Sequence, residues 1–441
     1  MQTSPFTISR RRRDVATINH LAVLIGGRHV ADLERTSSGL RLSYDQSDHR
    51  SRTAPVSLSL PMEAPVHTGA VVERFLKGLL PESDGALRAI ARRHQIDTTD
   101  TLDLLSAIGK DCAGAIQFCT AAELEATLNR EGHLEECSVG DIEIRLDEMD
   151  TDDNASWLMP DEHWSLGGTQ QKFALRRQEG RWYIAHGSEA TTHLIKPGIR
   201  KMRAQALDEH ATMRAAGLMG LEVAHTEYTE FESQNAIVIT RFDREFTDDG
   251  RVVRLHQEDL CQALGNPEKY EEYGGPSAAG IIRFLRAEAD SPKQARANVE
   301  RFVDGLVFNT VVGAPDAHAR NHAVMLTGEQ VSFAPLYDMA TGFAYAPPSD
   351  GGRVLSMSIG GTFVLDEVDD DAWRRFAGSA RLDEAHVLDR VAELTERAPD
   401  AFAEALSEVD DHEGHAGAML ERIQEELTAR RIASAPQGAS R

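Results

Sequence analysis

From residue 20 onward the apolar positions fall into two periods. Leu21, Val23 and Ile25 alternate up to Gly26-Gly27-Arg28, and Val30, Leu33, Leu40, Leu42 and Tyr44 follow; this period of two around glycines predicts hairpin strands. Residues 56–60 alternate Val, Ser, Leu, Ser, Leu and predict a further strand. Over 71–80, Val72, Phe75, Leu76 and Leu79 recur at helical spacing, and Pro81-Glu82-Ser83 ends that helix. Short β-rich runs return at 173–175, 182–185, 192–195 and 236–242, with a helix at 208–218 between them. Beyond residue 243 the pattern turns helical: Val299, Phe302, Val303, Leu306, Val307, Thr310 and Val311 form one stripe, read as a core face. Gln257, Glu258 and Asp259 read as the first turn of a helix through Leu264. The expected organisation is a polar tail (1–19), an α+β module (20–125), an acidic connection (126–160), a β-rich lobe (161–242), a helical lobe (243–425) and a second tail (426–441).

Composition narrows this picture. The 441 residues suffice for two or three domains with ample core. Apolar runs such as 236–239 and 306–313 fall far short of the ~18 residues that span a bilayer, so no membrane role is expected. Arg10 to Arg13 are not followed by an apolar stretch, and a cytoplasmic protein is expected. Cys112, Cys119, Cys137 and Cys261 lack metal or disulfide spacing and read as buried thiols. The acid-dense stretch ending Asp147-Glu148-Met149-Asp150-Thr151-Asp152-Asp153 reads as a solvated connection, because no glycine turn or ligand spacing organises its carboxylates. A net charge of −24 opposes non-specific contact with DNA phosphates, so any nucleic-acid role is local or borrowed from a basic partner.

Three motifs carry candidate chemistry. Ser165-Leu166-Gly167-Gly168-Thr169-Gln170-Gln171-Lys172 pairs glycines with a lysine, which suits an anion and equally a hairpin turn. In His193-Leu194-Ile195-Lys196-Pro197 a lysine ends a β-run, as in kinases that pair such a lysine with a helical Glu, here Glu209. A surface lysine before a proline turn is the other reading. The third motif is the strongest. Asp316, Asn321 five residues on, and Asp338 after the next strand supply one carboxylate for an acceptor hydroxyl and hard oxygens for Mg²⁺. The D-x₄-N spacing equals that of the kinase catalytic loop, with Asp338 in the place of the DFG aspartate.

These residues resemble the HipA family of toxin serine/threonine kinases of type II toxin-antitoxin modules. The resemblance runs in order through Ser57-Leu58-Ser59-Leu60-Pro61, Leu79-Leu80-Pro81-Glu82, 104–111, 165–172, 193–196, Arg241-Phe242-Asp243-Arg244, 256–264, Gly274-Gly275-Pro276, 316–321 and 335–338. It implies an α+β, two-lobed protein-kinase-like fold, with an N-terminal α+β subdomain and a mostly helical C-terminal lobe. It implies ATP and Mg²⁺ as cofactors, Asp316 as catalytic base, and Asn321 and Asp338 as metal ligands. Gly167, Gly168, Thr169, Gln170, Gln171 and Lys172 would form the phosphate loop. Lys196 would meet the nucleotide phosphates near His318, Ala319, Arg320 and Tyr337. Thr240, Arg241 and Phe242 would be the hinge, where Thr240 departs from the Glu frequent in relatives. Ser165 matches the serine that family members autophosphorylate. Implied partners are a HipB-like helix-turn-helix antitoxin, which supplies most operator-DNA contact, and a protein substrate such as glutamyl-tRNA synthetase, an aminoacyl-tRNA synthetase. Rival readings are a small-molecule or lipid kinase, an inactive co-repressor, and a metal hydrolase built on His318, His322 and Asp338.

Overall fold

In the computed structural model Gly26 and Gly27 take left-handed backbone angles (φ 58° and 79°), which lets the chain reverse tightly between its first two strands. The structure describes residues 18–46, 54–96, 99–152, 162–349 and 352–434. The N-terminal module contains β1 (His20–Ile25), β2 (Arg28–Thr36), β3 (Gly39–Tyr44), β4 (Val66–Thr68), α1 (Ala70–Gly78), α2 (Asp84–Arg93), α3 (Thr101–Ile108), β5 (Asp111–Cys112) and β6 (Ile116–Cys119). Its sheet has the order β4-β3-β2-β1-β6, and Leu21, Val23, Leu33, Phe75, Leu105 and Phe118 share its core. The expected tail over 1–19 lies outside the described residues except Ile18 and Asn19; Ile18 packs on this core and donates its amide to Asp103.

Residues 56–60 are a turn rather than the expected strand. Ser57 pairs only with Leu60, because Ser57 Oγ (2.6 Å) and the Leu58 amide (2.8 Å) both donate to the buried carboxylate of Glu258. Alternation here reflects a polar demand from another domain, not a pleat.

The small lobe contains α4 (Leu124–Leu128), β7 (Gly132–Cys137), α5 (Val139–Thr151), β8 (Trp164–Ser165), β9 (Phe173–Gln178), β10 (Arg181–Gly187), β11 (His193–Lys196), α6 (Gln205–Leu218), β12 (Thr226–Phe231) and β13 (Gln234–Thr240). The acidic segment is therefore structured, which corrects the expected solvated connection. Strand β7 pairs with β10 at one edge of a six-stranded sheet, order β12-β13-β11-β9-β10-β7. Helix α5 starts with a Ser138/Asp141 capping box and buries Ile142, Leu146 and Met149, leaving its acids on the solvent face. Residues 153–161 lie outside the described residues.

The C-terminal lobe contains β14 (Arg244–Phe246), β15 (Val252–Arg254), β16 (His256–Asp259), α7 (Leu260–Ala263), α8 (Ala278–Ala287), α9 (Pro292–Val311), β17 (Ala323–Thr327), β18 (Gln330–Phe333), β19 (Val354–Ile359), β20 (Thr362–Val364), α10 (Asp370–Ala380), α11 (Glu384–Ser407) and α12 (Ala416–Ser434). Asp259 does cap α7, in a capping box with Gln262. Gln257 and Glu258, expected in the same helical turn, instead pair with β17 in strand β16. The expected tail from 426 is also corrected, since α12 runs to Ser434 and buries Leu427 in the lobe core; residues 435–441 lie outside the described residues. Helix α6, although between small-lobe strands in sequence, buries Leu207, Ala211 and Ala215 in this same core beside α11.

A buried ion cluster joins all three parts. Asp111 of the N-terminal module meets Arg241 (3.3 Å), Arg244 (2.9 Å) and Arg254 (2.9 Å), and Asp243 meets Arg241 and Arg244. Burial pushes the Asp111 carboxyl up, but Arg244, Arg254 and Arg241 outweigh it and hold it well below the usual carboxylate range.

Candidate active site

Between the small-lobe sheet and the C-terminal lobe lies a cleft of about 620 Å³. Lys196, ending β11, projects into it and is buried. Its Nζ donates to Glu209 Oε1 of α6 (2.8 Å) and to Asp338 Oδ1 (2.5 Å), so the strand-lysine to helix-glutamate pair expected from sequence forms. Burial disfavours the Lys196 charge, yet Asp338 and Glu209 raise its pKa above the ordinary lysine value. Burial likewise pushes Asp338 up, but Lys196 and then Lys172 hold its pKa down at about 2. Asp338 has φ 58°, a conformation that costs a non-glycine residue roughly 1–3 kcal/mol and collects at functional sites.

Helix α9 leads into the loop that carries Asp316 and Asn321. After Val311 the chain turns at Gly313, where a Cβ would meet the Phe343 ring at 2.5 Å and φ is +63°. Asn321 Nδ2 donates to the Asp316 carbonyl (2.8 Å) and closes the loop, which leaves Asn321 Oδ1 as the amide atom suited to a cation. Tyr270 OH donates to Asp316 Oδ1 (2.8 Å), and His318 Nε2 lies 3.7 Å from the same oxygen. Asp316 is 64% exposed, open to an acceptor. Burial lowers the His318 pKa, so its ring stays neutral. For Mg²⁺ the donor set fits: an ionised carboxylate and an amide oxygen are hard ligands. Among the described residues no cluster of three or more His, Cys, Asp or Glu could hold a metal alone, so phosphate oxygens and water would complete the shell.

The segment 166–172 folds over the cleft. A Cβ on Gly167 would meet the Gly78 carbonyl at 2.7 Å, and Gly168 (φ +101°) would strike Lys172 Nζ at 2.8 Å. Lys172 Nζ donates to the Gly167 carbonyl (2.7 Å), and burial, then Lys196, lower its pKa to about 8. The segment also docks on the N-terminal module: Glu82 N donates to Gly168 O (3.2 Å). Ser165 Oγ, fully buried, donates to Leu79 O (2.7 Å). Thr169 and Gln170 line the cleft.

At the expected hinge, Thr240 N donates to His225 O and Arg241 N to Thr192 O, while the Phe242 amide has no partner among the described residues. Leu194, Ile239 and Leu336 make apolar walls, and the Phe242 and Tyr337 rings stand 5.6 Å apart, surroundings suited to a flat base.

Gln171 and Ala319 do not line the cleft, whereas Arg241, Arg320 and His322 line it with side chains engaged elsewhere. Gln171 turns away and donates to Asp152 O. Ala319 is packed into the lobe core. The Arg241 guanidinium is spent in the buried ion cluster, and Arg320 pairs with Glu82 at 2.8 Å. His322 packs on Phe302 and Phe333, and Nδ1 donates to His318 O; among the described residues His318, His322 and Asp338 do not come together as a group that could hold a metal, which the hydrolase reading needs. Sequence reasoning missed Tyr270 and Lys269, although both precede the Gly274-Gly275-Pro276 motif it singled out. It also gave Glu82 no role, yet this carboxylate bridges Lys269 and Arg320.

Comparison with known proteins extends this geometry. A family model described as HipA N-terminal domain matches residues 21–119, and one described as HipA-like C-terminal domain matches residues 164–402. The chain belongs to the HipA family. A Sinorhizobium fredii protein named as a kinase is 32% identical, over 90% of this chain and 94% of its own. The serine/threonine-protein kinase toxin HipA of Shewanella oneidensis is 26% identical, over 86% of this chain and 88% of its own. In structure, the chain matches HipA in the Shewanella oneidensis complex of HipA, HipB and operator DNA, with TM-score 0.80, 24% identity, and coverage of 94% and 97%. The α+β, HipA-like two-lobed fold expected from sequence is thereby established, and the relatives' names support a kinase. No helix among the described residues is long and apolar enough to cross a membrane.

Proposed function

We propose that this HipA-family chain transfers the γ-phosphoryl group of ATP to a Ser or Thr hydroxyl of a protein, as the toxin of a type II toxin-antitoxin module. The observation that carries this reading is the convergence on one cleft of the Lys196–Glu209–Asp338 cluster and the Asp316–Asn321 loop. Asp316 orients the acceptor hydroxyl and takes its proton as the oxygen attacks phosphorus. Lys196 and Lys172 hold the phosphates, while the Phe242 amide and the apolar walls seat the base. Asn321 and Asp338 would hold Mg²⁺, which when bound neutralises charge on the phosphates. The acceptor is a cytoplasmic protein, with an aminoacyl-tRNA synthetase such as glutamyl-tRNA synthetase as the first candidate. A HipB-like antitoxin is the partner, and it supplies the positive charge for operator DNA that a chain of net charge −24 lacks.

Ser165 is the proposed self-inactivation site. A phosphoserine brings roughly −1.5 to −2 charges, which the buried site against Leu79 O cannot accept, so the modified loop leaves the cleft and ATP affinity falls. Labelled ATP with lysate, followed by mass spectrometry, tests both parts. Label on a Ser or Thr of one protein, and on Ser165 of the chain, is expected. Label confined to small molecules or lipids would replace the protein-kinase reading, and equal ATP affinity with and without phosphate on Ser165 would remove the switch.

A further inference from the structure

Tyr270 has no part in the reading above, yet its hydroxyl makes a hydrogen bond to the Asp316 side chain (2.8 Å to Oδ1). We infer that Tyr270 is a positioning residue for phosphoryl transfer: it holds the Asp316 carboxylate by Oδ1 and leaves Oδ2 for the acceptor hydroxyl. The inference rests on Asp316 being the base.

The Tyr270 ring is itself built into place. It packs edge-on against the buried His318 ring (5.0 Å, 83°). Its carbonyl accepts from Gly275 N (2.9 Å), and the neighbouring Lys269 carbonyl accepts from Ala319 N inside the catalytic loop. A Cβ on Gly275 would meet the Tyr270 carbonyl at 2.6 Å and the Glu268 carbonyl at 2.8 Å, so the glycine is required for this close return. Lys269 is tied to Glu82 of the N-terminal module (3.2 Å). On the far side, Glu271 accepts from Ser358 N (2.7 Å) and Ser358 Oγ (3.0 Å). A side chain anchored from both flanks fits a fixed support better than a plug that each acceptor displaces. Burial, and then the bond to Asp316, push the phenol's pKa further above its ordinary value, so Tyr270 remains a donor at every working pH.

The physical effect is rotameric. An exposed aspartate samples several side-chain positions, and only those that meet the acceptor assist transfer; one bond to one oxygen selects among them. Tyr270→Phe removes that bond and keeps the ring on His318.

The test compares wild type, Tyr270→Phe, Asp316→Asn and the double variant as full chains with γ-labelled ATP and Mg²⁺, counting label on protein plus released phosphate. For Tyr270→Phe the expected result is a kcat lower by about tenfold, with KM for ATP and melting temperature unchanged. The double variant should be no slower than Asp316→Asn, because Tyr270 acts only through that carboxylate. A Tyr270→Phe kcat equal to or above wild type beside an inactive Asp316→Asn overturns the inference alone. So does a loss that appears in KM or melting temperature instead of kcat, or a double variant slower than Asp316→Asn. Full transfer by Asp316→Asn, or none by wild type, overturns the base assignment beneath it.

Discussion

Lys196 is the one point where the small-lobe strand, helix α6 and Asp338 meet through charge in the cleft among the described residues. Its ammonium sits between Glu209 and Asp338 with 5% of the side chain exposed, so Lys196→Met leaves two neighbouring carboxylates without their cation. Breaking such a buried pair costs roughly 3–5 kcal/mol, and nucleotide affinity should fall with it. Denaturant unfolding and nucleotide titration check the two effects; unchanged stability would mean that the lysine head is solvated after all. At this scale the site was legible where chemistry is local. The Asp316/Asn321 spacing is one loop, closed by a bond across five residues, and Glu209 follows Lys196 closely enough to be named its partner. Tyr270 stands 46 residues from Asp316, and its bond depends on a glycine-led return that no periodicity reports. Gln171 was misplaced because a motif names consecutive residues, whereas the backbone aims them in different directions.

Elements were legible when one face was apolar at a regular period, as in α9 and β1–β3, and were lost when charge dominated. In α5 three apolar residues set the buried face within an acidic run, and counting charge hid them. The 56–60 turn was misread for a related reason: Ser57 serves Glu258, a residue 201 positions away. That carboxylate offers a pH test. Burial raises its pKa from 4.5 to about 8, so the folded state binds this proton more tightly than the unfolded chain. Its contribution is fully present below about 4.5 and is lost as pH rises through 8. Glu258→Gln should therefore flatten the fall in melting temperature between about pH 5 and pH 9; an unchanged slope would mean that Glu258 titrates near its ordinary value. The ion cluster makes a second prediction for elements. Asp111→Ala leaves the buried Arg241 and Arg244 with Asp243 alone and takes from Arg254 its carboxylate partner, and a cost of roughly 3–5 kcal/mol is expected. Because Arg241 belongs to the proposed hinge, nucleotide affinity should weaken as well, and denaturation with nucleotide titration reads both.

Across the whole molecule the N-terminal module acts as a brace. It holds the proposed phosphate loop through Leu79 and Glu82, the proposed catalytic loop through the Glu82–Arg320 pair, and the proposed hinge through Asp111. The order of motifs along the chain announced the family, but these three long-range attachments came into view only with the fold. Asp316, in the proposed reaction, serves the acceptor and not the nucleotide. The most direct test of this role is phosphate transfer from γ-labelled ATP by full-length wild type and Asp316→Asn, with ATP binding measured in parallel by calorimetry. Transfer should be lost in the variant while ATP affinity stays close to wild type; transfer near the wild-type rate, or loss of ATP binding together with transfer, would contradict the account.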